Sequence, residues 1–151
     1  MKTISNLKID IQNAIVSLIA QENKMNQDYK KTERLIMEIL NSSKGLISID
    51  ANDIGEFFQR GEEIHALDVS VNAASDSRMK QLMEKITGNA MSRKPYNRCL
   101  VFFFLPENHP MMLEELLPFS NWIETISGEL MIKWGMTTHP LQSLRAIVLL
   151  Q

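Results

Sequence analysis

The chain has 151 residues, of which 44% are hydrophobic and 23% charged, a composition that indicates one globular domain and excludes a disordered or fibrous protein. Its net charge of −2 gives no positive excess for nucleic acid or anionic lipid, so we expect neither as a partner. Cys99 is the only cysteine, which excludes an internal disulfide, and no leader or membrane span is expected. A cytoplasmic location follows by default.

The N-terminal third is predicted to be helical. Two groups of apolar residues recur with helical spacing: Ala14, Ile15, Leu18 and Ile19, then Leu35, Ile36, Ile39 and Leu40. One long helix fits this pattern, and so do two helices with a break near Asn23–Asp28. The polar run Asn41–Gly45 predicts a helix end and a turn.

The middle of the chain alternates between helix and strand. We predict a short helix over Ala51–Arg60, closed by Gly61, and a strand over Ile64–Val71. In that strand Leu67, Val69 and Val71 share one face, while Ile64 and Ala66 lie on the other. A helix over Ser75–Thr87, capped by Ser75 or Asp76, is predicted from the amphipathic spacing of Met79, Leu82, Met83 and Ile86.

The apolar run Arg98–Leu105 predicts a central strand that is covered on both faces, with Cys99 as a buried thiol. A helix over Met111–Ile126, capped by Asn108 or His109, should be kinked or split by Pro118. The last two strands, Leu130–Met136 and Leu144–Leu150, are joined by a short turn that favours an antiparallel pair.

These elements predict an α/β (α+β) fold with one four-stranded mixed sheet and packed helices, preceded by one long or two shorter N-terminal helices. The expected organisation is a single domain over residues 1–151. Residues 1–44 form a helical segment, and residues 45–151 form the sheet-containing part.

The later part of the chain resembles the C-terminal domain of the tubulin/FtsZ superfamily, which includes the bacterial cell-division GTPases. The similarity extends in the same element order over about Thr32–Gln151. The best-matching stretches are Gly45–Asp53, Asn72–Arg78, Ile132–Gly135, Pro140 and Arg145–Val148. The resemblance does not include a GTP-binding domain or a C-terminal peptide tail. The six glycines are never closer than six residues, so no Gly-rich phosphate loop is present and no autonomous GTPase activity is expected.

The resemblance implies a partner-binding site at the loop before the short helix. In the family, an Asn-x-Asp-x-x-Asp pattern inserts into the neighbouring subunit and places carboxylates against the water that attacks GTP. Here Asp50 and Asp53 match both acidic positions, whereas Ser48 replaces the leading asparagine. We therefore expect Ser48, Asp50, Asn52 and Asp53 to contact a partner. Asp50 and Asp53 are the candidate carboxylates acting in trans.

A purely structural interpretation of the same residues is also open. Asp50 is a good N-cap, and Asp53 three residues later makes a variant capping box, which stabilises a helix by about 1 kcal/mol without any function. On this interpretation Asp53 contributes mainly an interaction with the helix dipole. One residue can serve as both cap and contact.

No other pattern predicts a site. His65, His109 and His139 are far apart in sequence, so no metal or cofactor is expected. Asp68 is either a site carboxylate or an exposed sheet residue. Met111 and Met112 beside Pro110 are either an adaptable contact surface or an ordinary helix start.

The leading hypothesis is a non-enzymatic module that docks on a tubulin/FtsZ-type GTPase. The alternatives are a small-ligand-binding protein or enzyme, or a self-associating scaffold.

Overall fold

The computed structural model of the chain describes residues 28–42, 47–59, 61–88, 96–126 and 130–151. Its helices are α1 (Asp28–Ser42), α2 (Ala51–Phe57), α3 (Arg78–Gly88) and α4 (Leu117–Ile126), and a 3-10 turn over Leu113–Leu116 leads into α4. Its strands are β1 (His65–Asn72), β2 (Arg98–Pro106), β3 (Met131–His139) and β4 (Ser143–Leu150). None of the described helices is long and apolar enough to cross a membrane.

The four strands form one mixed sheet in the order β1-β4-β2-β3. Strand β4 is antiparallel to β1 and β2, and β3 is parallel to β2. All four predicted strands belong to this sheet, so the predicted fold class is confirmed. The expected pairing of the last two strands is wrong, because β2 lies between β3 and β4. The connection 140–142 passes the end of β2, where the Glu107 N–H donates to the His139 carbonyl at 3.2 Å.

The position of β2 follows from its composition. All but the first of its nine residues are buried, so the strand needs a neighbour along each edge and cover on each face. Alternate side chains supply two separate cores. One contains Leu100, Phe102 and Phe104, and the other contains Cys99, Val101, Phe103 and Leu105. The prediction of a central strand covered on both faces is confirmed.

The helices cover the two faces of the sheet. On the first face α1 contributes Leu35, Ile36 and Ile39, joined by Ile49, Ile54 and Phe58 from the region of α2. On the second face α3 contributes the predicted set Met79, Leu82, Met83 and Ile86, and α4 contributes Phe119. Strand β1 divides its side chains as predicted, with Ala66 on the first face and Val71 on the second.

Several predicted helix boundaries differ from the structure. Helix α2 ends at Phe57 rather than Arg60, and Gly61, with a φ of 82°, forms the turn that follows. Helix α3 begins at Arg78, after a turn in which the Ser75 hydroxyl accepts from the Ser77 N–H at 3.3 Å.

The helix predicted over Met111–Ile126 is divided, with α4 beginning at Leu117. Pro118 therefore lies in the first turn of α4, where its missing N–H breaks no helical bond. The expected cap at Asn108 or His109 is wrong, because Met112 precedes the 3-10 turn and its N–H donates to Glu115 at 3.2 Å. The Ala14–Ile19 stripe, the choice between one and two N-terminal helices, and most of the Asn41–Gly45 turn lie outside the described residues.

Candidate functional site

The loop that precedes α2 is fastened to the edge of the sheet. Ile47 forms an antiparallel bridge with Met136 of β3. The Ile47 N–H donates to the Met136 carbonyl at 3.1 Å, and the Met136 N–H donates to the Ile47 carbonyl at 3.0 Å. Ile49 and Ile54 are both buried in the first core. The loop is thus held on either side of Asp50, while Ser48, Asp50 and Asn52 remain exposed.

Gly135 in β3 permits this close approach. A Cβ atom at this position would meet the Phe102 Cδ2 at 2.8 Å, the Ile47 carbonyl oxygen at 2.9 Å and the Ile49 Cδ1 at 2.9 Å. Carbon atoms pack best at about 3.5–4.0 Å, so even a methyl group does not fit. The lack of a side chain at Gly135 therefore determines how near the loop lies to the sheet.

The two aspartates form a reciprocal capping box. The Asp50 Oδ1 accepts from the Asp53 N–H at 2.7 Å, and the Asp53 Oδ2 accepts from the Asp50 N–H at 2.9 Å. The capping role predicted from the sequence is confirmed. The pKa of the Asp53 carboxyl is held below its ordinary value. The hydrogen bond from the Asp50 N–H is the larger cause, and the interaction with Lys133 is the smaller one.

The sequence suggested that Asp53 interacts mainly with the helix dipole, but the structure gives this carboxylate further partners. Its Oδ1 lies 3.2 Å from the Nζ of Lys133, a residue of β3. Both oxygens of Asp53 are therefore engaged, whereas the Oδ2 of Asp50 has no hydrogen-bond partner within the described part of the chain. Asn52 donates to Glu56 at the long distance of 3.5 Å. The four predicted residues thus lie in the loop before α2 and in its first turn, and Asp50 is the more available carboxylate.

The remaining candidates are structural in character. His139 is the last residue of β3, and its Nε2 lies 2.7 Å from the Ser143 carbonyl at the start of β4, so this histidine joins the ends of the two strands. Asp68 accepts two bonds of 2.7 Å from Arg145 and is not a free carboxylate. Among the described residues no group of three His, Cys, Asp or Glu side chains is arranged to hold a metal ion. Burial raises the pKa of the Cys99 thiol to about 12.

Sequence reasoning missed two arginine clusters. Arg145 of β4 binds Glu38 of α1 and Asp68 of β1, and its guanidinium lies 5.0 Å from the centre of the Phe104 ring. These bonds to the two carboxylates raise the pKa of Arg145. Because the partners are 107 and 77 residues away, no local pattern could have indicated them.

The second cluster centres on Arg78, a buried residue at the start of α3. Its Nε and Nη2 donate to Glu115 at 2.6 and 2.9 Å. Its remaining donors reach the carbonyls of His109 and Pro110, each at 3.1 Å, and that of Ala73 at 3.5 Å. The guanidinium lowers the pKa of the Glu115 carboxyl. This cluster fixes the loop after β2 against α3.

Comparison of the chain with known proteins supports the resemblance through structure alone. No protein-family model matches the sequence, and no curated protein sequence does. An FtsZ dimer from M. jannaschii is 14% identical over 92% of this chain and 43% of that chain, with a TM-score of 0.59. TubZ from Bacillus thuringiensis serovar israelensis, solved as GDP-form protofilaments, is 12% identical over 81% of this chain and 34% of that chain, with a TM-score of 0.61.

A helical model of the TubZ-Bt two-stranded filament gives a TM-score of 0.62 at 11% identity, over 81% of this chain and 33% of that chain. The chain therefore spans between a third and just over two-fifths of the length of these solved chains. The matched region corresponds to a domain-sized part of those proteins. The chain thus has the fold of part of FtsZ and TubZ, as its resemblance to the C-terminal domain of the tubulin/FtsZ superfamily predicted.

Proposed function

We propose that this chain is a non-enzymatic interaction module that docks on an FtsZ- or tubulin-type GTPase filament in the cytoplasm through the loop from Ser48 to Asp53. The observation that carries the proposal is the way this loop is presented. Ile49 within the loop and Ile54 directly after it are buried, yet Ser48, Asp50 and Asn52 are exposed. A loop that is already ordered loses little conformational freedom on binding, which favours its use as a contact surface.

The fold supports the same proposal. TubZ, of which a part has this fold, is known in protofilaments and in a helical model of a two-stranded filament, so the fold is compatible with filament formation by that protein. The chain has no Gly-rich phosphate loop. We therefore propose that the GTP belongs to the partner, and that this chain acts on the partner's exposed nucleotide face.

The two carboxylates are expected to contribute differently. Asp53 is engaged by the Asp50 N–H and by Lys133, which offsets its charge. Asp50 keeps one carboxylate oxygen without a partner in the described residues, so it is the better placed to accept from a water or a donor on the GTPase. We accordingly assign the contact with the partner chiefly to Asp50.

Co-sedimentation with the host's own FtsZ-type filaments tests the proposal. Wild-type protein should pellet with the filaments in the presence of GTP or reduce the mass of polymer. Asp50→Asn is the informative variant, because asparagine caps a helix about as well as aspartate but carries no charge. We expect it to melt like the wild type and to lose its effect on the filaments.

Asp50→Ala is the matched comparison, since it removes both the cap and the charge and should cost about 1 kcal/mol of stability. If Asp50→Asn retains the full effect of the wild type on the filaments, the loop is only a helix cap and the proposal fails. If the wild type neither pellets with the filaments nor changes their mass, docking itself is contradicted.

A further inference from the structure

Three large apolar side chains are exposed around the start of α4, far along the chain from the acidic loop. Met112, Leu113 and Leu117 have 58%, 83% and 61% of their surface accessible, and we call these three residues the Leu113 patch. Phe119, two residues after Leu117, is buried in the second core and fixes the helix to the sheet. Such a concentration of exposed apolar surface on an ordered element is typical of an interaction site.

A depression of about 240 Å³ adjoins the Leu113 patch. Its lining includes Glu114 and Pro118, which directly follow the patch residues Leu113 and Leu117 in the sequence, together with Asp76, Met79 and Lys80 from the region of α3. Asp76, Lys80 and Glu114 are exposed, and none of them forms an ion pair within the described residues. Both signs of charge are therefore available at the rim of the patch.

We infer that the Leu113 patch binds the same patch on a second copy of this chain, in a two-fold symmetric dimer. A two-fold interface must be complementary to itself, and an apolar centre with Lys80 and Glu114, two groups of opposite charge, near its rim meets that condition. Lys80 of each copy then faces Glu114 of the other. An anionic membrane or a strongly basic partner would instead require a rim of one sign, which the mixture of Lys80 with Asp76 and Glu114 does not provide.

The size of the patch predicts a weak dimer. A stable interface buries about 800 Å² on each partner, which three side chains cannot supply alone, so the charged rim must take part. We expect a monomer–dimer equilibrium that depends on concentration. This inference does not depend on docking to a GTPase, because the acidic loop lies on the first face of the sheet and the patch precedes a helix on the second.

Sedimentation equilibrium of the full chain tests the apolar part of the interface. Leu113→Asp should raise the dimer dissociation constant at least tenfold, because it places a carboxylate at the centre of the contact. Met131→Asp is the matched control: Met131 is 53% exposed, and it begins β3 rather than α4. The control should leave the dissociation constant within about twofold of the wild type. Both variants alter exposed side chains, and equal melting temperatures would verify their folding.

A charge exchange tests the symmetry. Lys80→Glu should weaken the dimer several-fold, and the double variant Lys80→Glu/Glu114→Lys should restore it, since the contact between positions 80 and 114 of the two copies again joins one acid and one base. A wild type that remains monomeric at every concentration overturns the inference, and so does a dimer that Leu113→Asp leaves intact. Asp50→Asn should leave the dissociation constant unchanged, so failure of the docking proposal and failure of the dimer are separable.

Discussion

Gly135→Ala tests how the acidic loop is held against the sheet. The added methyl group would lie 2.8 Å from the Phe102 Cδ2 and 2.9 Å from both the Ile47 carbonyl oxygen and the Ile49 Cδ1. The Ile47 oxygen is a backbone atom, so it cannot move without the loop. It also accepts the 3.0 Å bond from the Met136 N–H, and any displacement weakens the bridge that fastens the loop to β3.

The magnitude follows from these contacts. Forcing one extra methyl group into a packed core costs about 1–3 kcal/mol, and each lost hydrogen bond of the bridge adds about 1 kcal/mol. We therefore expect Gly135→Ala to lower the free energy of unfolding by about 3 kcal/mol. For a chain of this size that corresponds to a fall in melting temperature of about 10 °C.

Urea denaturation followed by circular dichroism measures this change. Gly55→Ala is the matched control, because a Cβ at Gly55 meets nothing within 4 Å and the residue lies inside helix α2. Alanine is the better helix former, so the control should gain about 0.5–1 kcal/mol. A Gly135→Ala protein as stable as the wild type would refute the reasoning, because the loop would then not be packed as closely as described.

Two further predictions concern buried groups. Arg78→Met should cost about 3 kcal/mol in urea denaturation, because it leaves the Glu115 carboxylate without its cation. Since the folded pKa of Glu115 is lowered, this stability is present above the unfolded pKa and is lost as pH falls below about 4, so the wild type should lose more stability on acidification than the variant. Cys99, with its pKa near 12, should resist a thiol reagent at pH 8 until the protein unfolds, and fast labelling of native protein would contradict its burial.

Local patterns predicted the elements well because they depend on neighbouring residues. The alternation in β1, the apolar run of β2 and the helical spacing of Met79 and Leu82 each specify which faces are buried. The capping box was also visible, since Asp50 and Asp53 are three residues apart. These features were confirmed almost as the sequence predicted them.

The features that the sequence did not predict depend on topology. The short turn after β3 favoured pairing with β4, but β2 has the greater need for neighbours on both edges and lies between them. The contact of Lys133 with Asp53 joins residues that are distant in the chain, so neither residue type nor local spacing indicates it. The candidate loop was predictable, whereas the engagement of Asp53 and the greater availability of Asp50 required the fold.

The most direct test of docking through the acidic loop is the GTP turnover of the host's FtsZ-type filaments, titrated with wild-type protein and with Asp50→Asn. We predict that the wild type changes turnover in a saturable manner. The variant should melt like the wild type and leave turnover at the value of the filaments alone. Identical titration curves for the two proteins would contradict the account, because the charge of Asp50 would then have no part in any contact with the GTPase.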